Sequence, residues 1–233
     1  MKSCYLFDFN ESWNDYSIIS LSCVPVLADF DAFADVWERN HQNKKVLLSF
    51  PNVSRETLLK DFKNAFHTLA QYFDGFLLQN IGDYGILTSL FDEHHLSRND
   101  YFIAGDYSLN VFNLESAKFW SDKLDMVALS PELSIKEQSQ IASKFPKNIT
   151  PEIICSKRII VMRSEHCYAS ENIFHCGRCG KSGLNAPKLK SENGKEYDVY
   201  CNPKDCTCVL VGTDFPIQGN VNFDLENAVY RTL

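Results

Sequence analysis

The sequence predicts an α/β fold, an incomplete or modified (β/α) barrel followed by a C-terminal appendage that is Cys-rich and mostly β. Short apolar runs alternate with helical patterns at intervals of roughly 25 residues, which is typical of strand–helix–strand units around a parallel sheet. Seven predicted strands with short connections nearly complete an eight-stranded barrel. An open doubly wound sheet is the less favoured alternative, because no glycine-rich phosphate loop follows the first strand.

The predicted barrel domain covers residues 1–163, and the predicted Cys-rich domain covers residues 164–233. The strands of the first domain are short runs of apolar and β-branched residues. They are Cys4–Phe9, Ser17–Val24, Lys45–Phe50, Gly75–Gln79, Tyr101–Ala104, Met126–Leu129 and Ile153–Met162.

The helices between these strands show apolar residues at helical spacing. They are Asp31–His41, a helix from Ser54 to about Leu69, Tyr84–Phe91, Leu114–Trp120 and a helix from Ser134 to about Lys144. Ser54 is the predicted cap of the second helix. Ser134 and Glu137 have the spacing of a capping box, in which each side chain binds a free backbone amide of the other residue.

The composition changes after Arg163. The Asn193-Gly194 pair predicts a tight hairpin between Pro187–Lys190 and Glu196–Tyr200. Cys208–Val211 is a further predicted strand, and the tail from Gly219 is weakly patterned. The second domain is therefore expected to be mostly β.

Composition and charge restrict the possible functions. The chain has 233 residues, 45% of them hydrophobic, and a net charge of −7 without a stripe of lysine and arginine, which argues against a stand-alone nucleic-acid binder. No apolar run is long enough for a transmembrane helix, so no membrane partner is expected. The N-terminus contains acidic residues too early for a signal peptide. We therefore expect a cytoplasmic protein with reduced thiols.

Six of the nine cysteines lie between Cys167 and Cys208, and in a reducing compartment such a cluster indicates metal ligands. Cys176 and Cys179 form a Cys-x-x-Cys knuckle, and Cys167 and Cys206 are the preferred other ligands. Either Cys201 or Cys208 is an alternative to Cys206. Thiolate ligands permit zinc or an iron–sulfur cluster, and the uneven spacing favours the cluster.

Candidate catalytic groups lie near the cysteines and at the predicted strand ends. His166 adjoins Cys167 and is a candidate ligand or proton donor. Asp106 and Glu132 follow the fifth and sixth strands, at the edge where parallel barrels bind ligands. Glu132 could act as an acid or a base. The alternative is that these residues only cap turns and helices.

The chain resembles the U-thirty-two peptidase family, the group of collagenase-like protease homologues. The resemblance rests on five motifs in order: GDYSLNVFNLESAKFW, VALSPELSIKEQ, CSKRIIVMRSEHC, CGRCGK and LKSENGKEYDVYCNPKDCTC. It covers about Ser17 to Val211 and is strongest for the second barrel-like half of long clostridial members. The glycine-alanine-aspartate entry of better-known members is absent, and Pro131 stands where they usually carry arginine.

The resemblance implies a modified TIM-type barrel with a 4Fe–4S cluster. Relatives of this kind support oxygen-independent hydroxylation of RNA or of the ubiquinone ring, which implies an RNA or small aromatic substrate. The positions that match the family's cysteines are Cys167, Cys176, Cys179 and Cys206. Collagenase-like peptidase activity is the first alternative. The second is a zinc-stabilised, non-catalytic barrel that binds a partner subunit. The departures from the family pattern imply a degenerate paralogue or one half of a two-part enzyme, whose partner would be a subunit or a missing N-terminal half.

Overall fold

The computed structural model describes residues 16–20, 45–51, 53–154, 159–165, 188–202, 207–212 and 229–231. The strands are β1 (Tyr16–Ser20), β2 (Lys45–Ser49), β3 (Gly75–Leu78), β4 (Phe102–Gly105), β5 (Met126–Ala128), β6 (Thr150–Ile154), β7 (Ile159–Ser164), β8 (Lys188–Lys190), β9 (Glu196–Asn202), β10 (Thr207–Gly212) and β11 (Val229–Arg231). The α-helices are α1 (Glu56–Leu69), α2 (Ile81–Glu93), α3 (Leu114–Ser121) and α4 (Ile135–Ala142).

Two units make up the described chain, and the second begins after Ile154. The first contains a parallel sheet in the order β1-β2-β3-β4-β5-β6-β11, with helices between successive strands from β2 to β6. The predicted α/β fold with a parallel sheet is confirmed. Closure of the sheet into a barrel stays a prediction.

One face of the parallel sheet packs against the helices. The helix α1 buries Phe62, Ala65, Phe66 and Leu69, which recur at the spacing that predicted the helix. The Phe66 ring stacks on Phe76 of β3 with ring centroids 5.8 Å apart. Phe62 meets Phe50 edge-on at 5.2 Å. Each such buried phenylalanine stabilises the fold by about 1.5–3 kcal/mol.

The other face of the sheet carries a small apolar cluster. Leu47, Leu77, Ala104 and Met126 come from four successive strands, and Ile18 and Phe102 pack against them. The register pairs Leu77 with Ala104 and Ala104 with Met126, so these side chains share one face. Strands buried on both faces are typical of parallel sheets. We call this side the inner face.

Aspartates fix the amino ends of two strands. Asp74, just before β3, accepts the backbone N–H of Val46 at 2.7 Å. Asp125, just before β5, accepts the N–H of Ile103 at 2.7 Å and pairs with Arg98 at 2.9 Å. Both carboxylates therefore satisfy donors of a neighbouring strand.

The helix starts follow local signals in one case and not in another. Ser134 and Glu137 form the predicted capping box of α4. The predicted Ser54 cap is wrong, because α1 begins at Glu56 with Arg55 as an N-cap that makes no side-chain bond. The Ser54 hydroxyl instead donates to the Pro51 carbonyl at 3.4 Å.

The single strand predicted for Ile153–Met162 is wrong. The structure divides it between β6, which lies in the parallel sheet, and β7, which pairs antiparallel with β10. Residues 151–154 are all buried, whereas residues 161–163 are exposed. The weakly patterned tail also contributes β11, which pairs parallel with β6.

The second unit contains an antiparallel sheet in the order β7-β10-β9-β8. The hairpin predicted at Asn193-Gly194 is confirmed between β8 and β9. Gly194 has a φ of +84°, a backbone conformation that favours glycine. The predicted strand at Cys208–Val211 is confirmed within β10, which pairs with both β7 and β9.

Other predicted elements lie outside the described residues. They are the strand Cys4–Phe9, the helix Asp31–His41 and the end of the strand predicted for Ser17–Val24. None of the described helices is both long and apolar enough to cross a membrane.

Two glycines provide a matched test of the packing between β3 and β4. A Cβ at Gly75 would lie 1.9 Å from the Phe102 carbonyl oxygen, whereas a Cβ at Gly85 in α2 would meet nothing within 4 Å. We expect Gly75→Ala to lower the free energy of unfolding by about 3 kcal/mol, because two paired strands must move apart. Gly85→Ala should raise it by about 0.5–1 kcal/mol. Urea unfolding measures both, and equal values would contradict the close approach.

Candidate functional site

A row of polar side chains lies at the carboxyl end of the parallel sheet. Each strand from β2 to β6 contributes one residue within the strand or within two residues of its end. These residues are Ser49, Gln79, Asp106, Ser130 and Glu152. Four of them are buried, and Gln79 is half-buried. We call this set the strand-end row.

The register places the strand-end row on the inner face. Paired residues of parallel strands share a face, and residues two apart along a strand do so as well. Ser49 pairs with Leu77 of the inner cluster, and Gln79 lies two residues beyond Leu77. Asp106 follows Ala104 by the same step in extended backbone.

The two acidic members of the row lie at one level of the sheet. Ala128 pairs with Glu152, and the register of β4 with β5, continued by one residue beyond the pair of Gly105 and Val127, sets Asp106 opposite Ala128. With strands about 4.8 Å apart, the Asp106 and Glu152 Cα atoms are about 10 Å apart. Only the Ala128 methyl group lies at this level between them. Asp106 is 4% exposed and Glu152 is 0% exposed.

Hydrogen bonds tie the first members of the row together. The Gln79 side-chain amide donates to the Ser49 hydroxyl at 3.2 Å. Ser108, in the turn after β4, donates to the Gln79 backbone carbonyl at 2.7 Å. The ends of β2 and β3 and this turn therefore hold one another in place.

Asp106 does not serve as the cap of the turn that follows it. Its side chain makes no capping hydrogen bond with the short 3-10 turn Tyr107–Leu109, although its backbone N–H donates to the Leu78 carbonyl at 2.8 Å. Asn110 ends that turn in the left-handed region with a φ of 51° and is exposed. Asn110 thus has a conformational role, and the backbone register alone assigns Asp106 to the strand-end row.

Glu132 lies apart from the buried row. Its side chain is exposed, and its backbone N–H donates to the Ser130 hydroxyl at 3.3 Å. Capping of α4 belongs to Ser134 and Glu137. The Ser134 hydroxyl and backbone amide, by hydrogen bonding, lower the pKa of the Glu137 carboxyl group. The structure leaves Glu132 in contact with solvent at the same edge of the sheet.

The other predicted site residues lie outside the described part of the chain: His166, Cys167, Cys176, Cys179 and Cys206. Within the part that is described, no three histidine, cysteine or acidic side chains come together as metal ligands. The predicted cluster ligands therefore stay a prediction.

Cys208 was an alternative fourth ligand, and the structure gives it another role. Its side chain is 1% exposed and forms a disulfide bond. A disulfide sulfur is not the thiolate that binds zinc or iron. Cys208 therefore departs from the expectation that the thiols of this chain stay reduced.

Three exposed apolar side chains lie close in sequence to members of the strand-end row. Val53 lies between β2 and α1, Ile81 begins α2, and Phe112 lies between β4 and α3. Their exposed fractions are 43%, 63% and 44%. All three belong to connections that follow carboxyl ends of strands. The strand-end row and these exposed apolar side chains therefore occur at the same edge of the sheet.

The sequence reasoning missed Ser49, Gln79 and Glu152. Gln79 ends a buried apolar run, and Ser49 interrupts one just before the buried Phe50, which is a signal that could have found them. Glu152 is the single charged residue of β6 and lies between Pro151 and Ile153. A lone acid within such a strand is a sign of a functional group, because burying a charge is costly.

Comparisons with known proteins add little. No protein-family model matches the chain, and no curated protein sequence matches it. Among solved structures, the chain is similar to the crystal structure of "a putative fructose-1,6-biphosphate aldolase from Coccidioides immitis", at 7% identity and a TM-score of 0.39. The match covers 59% of this chain and 53% of that one, so the chain spans about half of the aldolase. A likeness this distant carries no argument about function.

Asp83 supports the loop that positions Gln79. Its carboxylate accepts the backbone N–H groups of Gln79 at 2.8 Å and Asn80 at 3.0 Å, and Asn80 completes a capping box with it. Burial raises the pKa of Asp83, and these hydrogen bonds oppose the shift. The loop after β3 thus depends on a buried acid.

The raised pKa of Asp83 predicts a pH-dependent stability. Because the folded pKa lies above the unfolded value, the contribution of Asp83 is fully present below about pH 3.8 and is lost as the pH rises through the folded pKa. We expect the free energy of unfolding of the wild type, relative to Asp83→Asn, to fall as the pH rises above the unfolded pKa, by at most about 1.4 kcal/mol per pH unit, and to level off above the folded pKa.

Urea unfolding at several pH values measures this difference. Asp92→Asn, at an exposed position of the same helix, is the matched variant that also removes one acid from α2. The prediction is contradicted if the free energy of unfolding of the wild type, relative to Asp83→Asn, rises with pH.

Proposed function

We propose that this chain is an iron–sulfur protein that supports oxygen-independent hydroxylation of an RNA base or another aromatic ring, and that the strand-end row binds that ring. The observation that carries the proposal is the pair of acids on the inner face, Asp106 at 4% and Glu152 at 0% exposure. Ligands bind at the carboxyl edge of parallel α/β sheets. The family resemblance supplies the type of reaction.

The two acids suit a ring that carries N–H or O–H groups. An ionised carboxylate only accepts hydrogen bonds, and such bonds are strong where water is excluded. A planar ring that contacts both acids would have to span their Cα separation of about 10 Å across Ala128. The Gln79 amide is both a donor and an acceptor, and it can bind a ring carbonyl or ring nitrogen.

An exposed aromatic side chain favours a planar substrate. Phe112 is 44% exposed, and it follows Val111, which is fully buried and paired with Leu129. The Phe112 backbone is therefore fixed beside β5 while its ring faces solvent. Stacking of a base on such a ring contributes about 1–3 kcal/mol.

The cofactor in this proposal is a 4Fe–4S cluster on Cys167, Cys176, Cys179 and Cys206. When bound, such a cluster supplies electron transfer at a potential set by its surroundings. His166 and the exposed Glu132 are the candidate proton carriers. A cytoplasmic location and a partner subunit belong to the same proposal.

Metal analysis tests the cofactor. We expect the protein, purified without air and reconstituted with iron and sulfide, to be brown and to hold about four iron atoms and four acid-labile sulfides per chain. Cys176→Ser should lose most of this iron, because a knuckle ligand is removed. Cys208→Ser is the matched control and should keep it, because Cys208 is not a thiolate. A colourless protein with one zinc would favour the non-catalytic alternative.

Ligand binding tests the strand-end row. We expect one or more of adenosine, guanosine, cytidine, uridine and methoxyhydroquinone to bind, as measured by ligand-observed NMR. Asp106→Asn and Glu152→Gln should each weaken binding at least about tenfold, because a hydrogen bond to a charged group contributes about 1.5–3 kcal/mol. Glu115→Gln, which removes an exposed acid of α3, is the matched control.

Two outcomes would contradict this use of the row. One is binding that Asp106→Asn and Glu152→Gln leave unchanged while circular dichroism shows both variants folded. The other is cleavage of gelatin peptides that Glu152→Gln abolishes, which would favour the peptidase alternative.

A further inference from the structure

The disulfide of Cys208 lies in the middle of the antiparallel sheet. Cys208 is the second residue of β10, and β10 is hydrogen-bonded to β7 on one side and to β9 on the other. The second sulfur of the bond lies outside the described side chains. The backbone register nevertheless restricts which cysteine supplies it.

The register sets Cys201 of β9 directly opposite Cys208. Directly opposed residues of antiparallel strands have Cα atoms about 4.5–5.5 Å apart and share a face of the sheet. A disulfide requires Cα atoms about 4.4–6.8 Å apart, so this position meets the requirement without any movement of the backbone. The pairing of Thr207 with Asn202 and of Val209 with Tyr200 shows that the register is regular on both sides.

We propose that Cys201 and Cys208 form a disulfide that joins β9 to β10 and separates these two cysteines from the ligands of the Cys-rich stretch. Four cysteines of that stretch then remain as thiols: Cys167, Cys176, Cys179 and Cys206. The pairing itself stands on the register alone. Its consequence for the ligands rests on the proposed function, which needs four thiolates.

The burial of Cys208 protects the bond. Thiol–disulfide exchange needs a thiolate to reach one of the two sulfurs, and the Cys208 side chain is 1% exposed. Reduction of the bond takes up two electrons and two protons and leaves two thiols. An external dithiol that supplies them must reach the bond through Cys201 or wait for β10 to open. The Cys208 sulfur is therefore protected from direct attack while β10 stays paired.

Counting thiols in matched variants tests the pairing. The full-length protein is purified without reductant and without air, quenched in acid, unfolded, and labelled with N-ethylmaleimide. Cys201→Ser should raise the number of labelled thiols by one per chain, because it frees Cys208. Cys206→Ser should lower the number by one, because it removes a thiol. If Cys206 is the true partner, the two results exchange, and the proposal is overturned.

Peptide mapping of the wild type gives a result that does not depend on the folding of any variant. Trypsin cuts after Lys195, Lys204 and Arg231, which places Cys201 in one peptide and Cys206 with Cys208 in the next. We expect these two peptides to be linked, with fragment ions that put the link on Cys208 and the label on Cys206. A labelled Cys201, or two labelled cysteines in the second peptide, would overturn the pairing.

The iron content is read separately from the thiol count. A linked Cys201–Cys208 pair in a protein that binds no iron would support the disulfide and contradict the cluster. Iron bound by a protein in which Cys201 and Cys208 are both labelled would support the cluster and contradict the disulfide.

Discussion

Burial of the parallel sheet on both faces is the constraint on which the rest of the first unit depends. In β2 and β3, every residue from Val46 to Ser49 and from Gly75 to Leu78 is buried. Water cannot satisfy the backbone there, so the N–H and C=O groups must pair within the sheet. Most side chains along these strands are therefore apolar. Polar groups can be buried near the strand ends, because turns and helix starts supply hydrogen-bond partners there.

Because the sheet is buried on both faces, each polar residue of the strand-end row needs compensating partners or a function. Ser49 and Gln79 lie where the strands give way to loops, and they bond to each other. Glu152 differs, because it lies inside β6 and is fully buried. A buried carboxyl group costs several kcal/mol unless nearby groups compensate it. Such groups occur often at binding and catalytic sites, which is why Glu152 and Asp106 together carry the functional proposal.

Local signals made parts of the fold predictable from the sequence. The capping box at Ser134 and the hairpin at Asn193-Gly194 each depend on a few adjacent residues, and both are present. The break between β6 and β7 was missed because it depends on which sheet each piece joins, and both pieces are equally rich in isoleucine. The three residues of β11 are too few for a periodic pattern. Glu152 was not predicted as a site residue because the residues that pair with it in the sheet are distant in the chain.

The aspartates at the amino edge have a consequence for how the site could change. Asp74 and Asp125 anchor neighbouring strands at the edge opposite the row, and Arg98 joins the second of them. The groups that secure the strands and the groups that could meet a ligand thus occupy different ends of the same sheet. Selection for a new ligand can therefore alter the carboxyl edge, one loop at a time, while the anchors at the other end hold the scaffold. The same separation makes this domain suitable as a template for laboratory redesign of binding specificity.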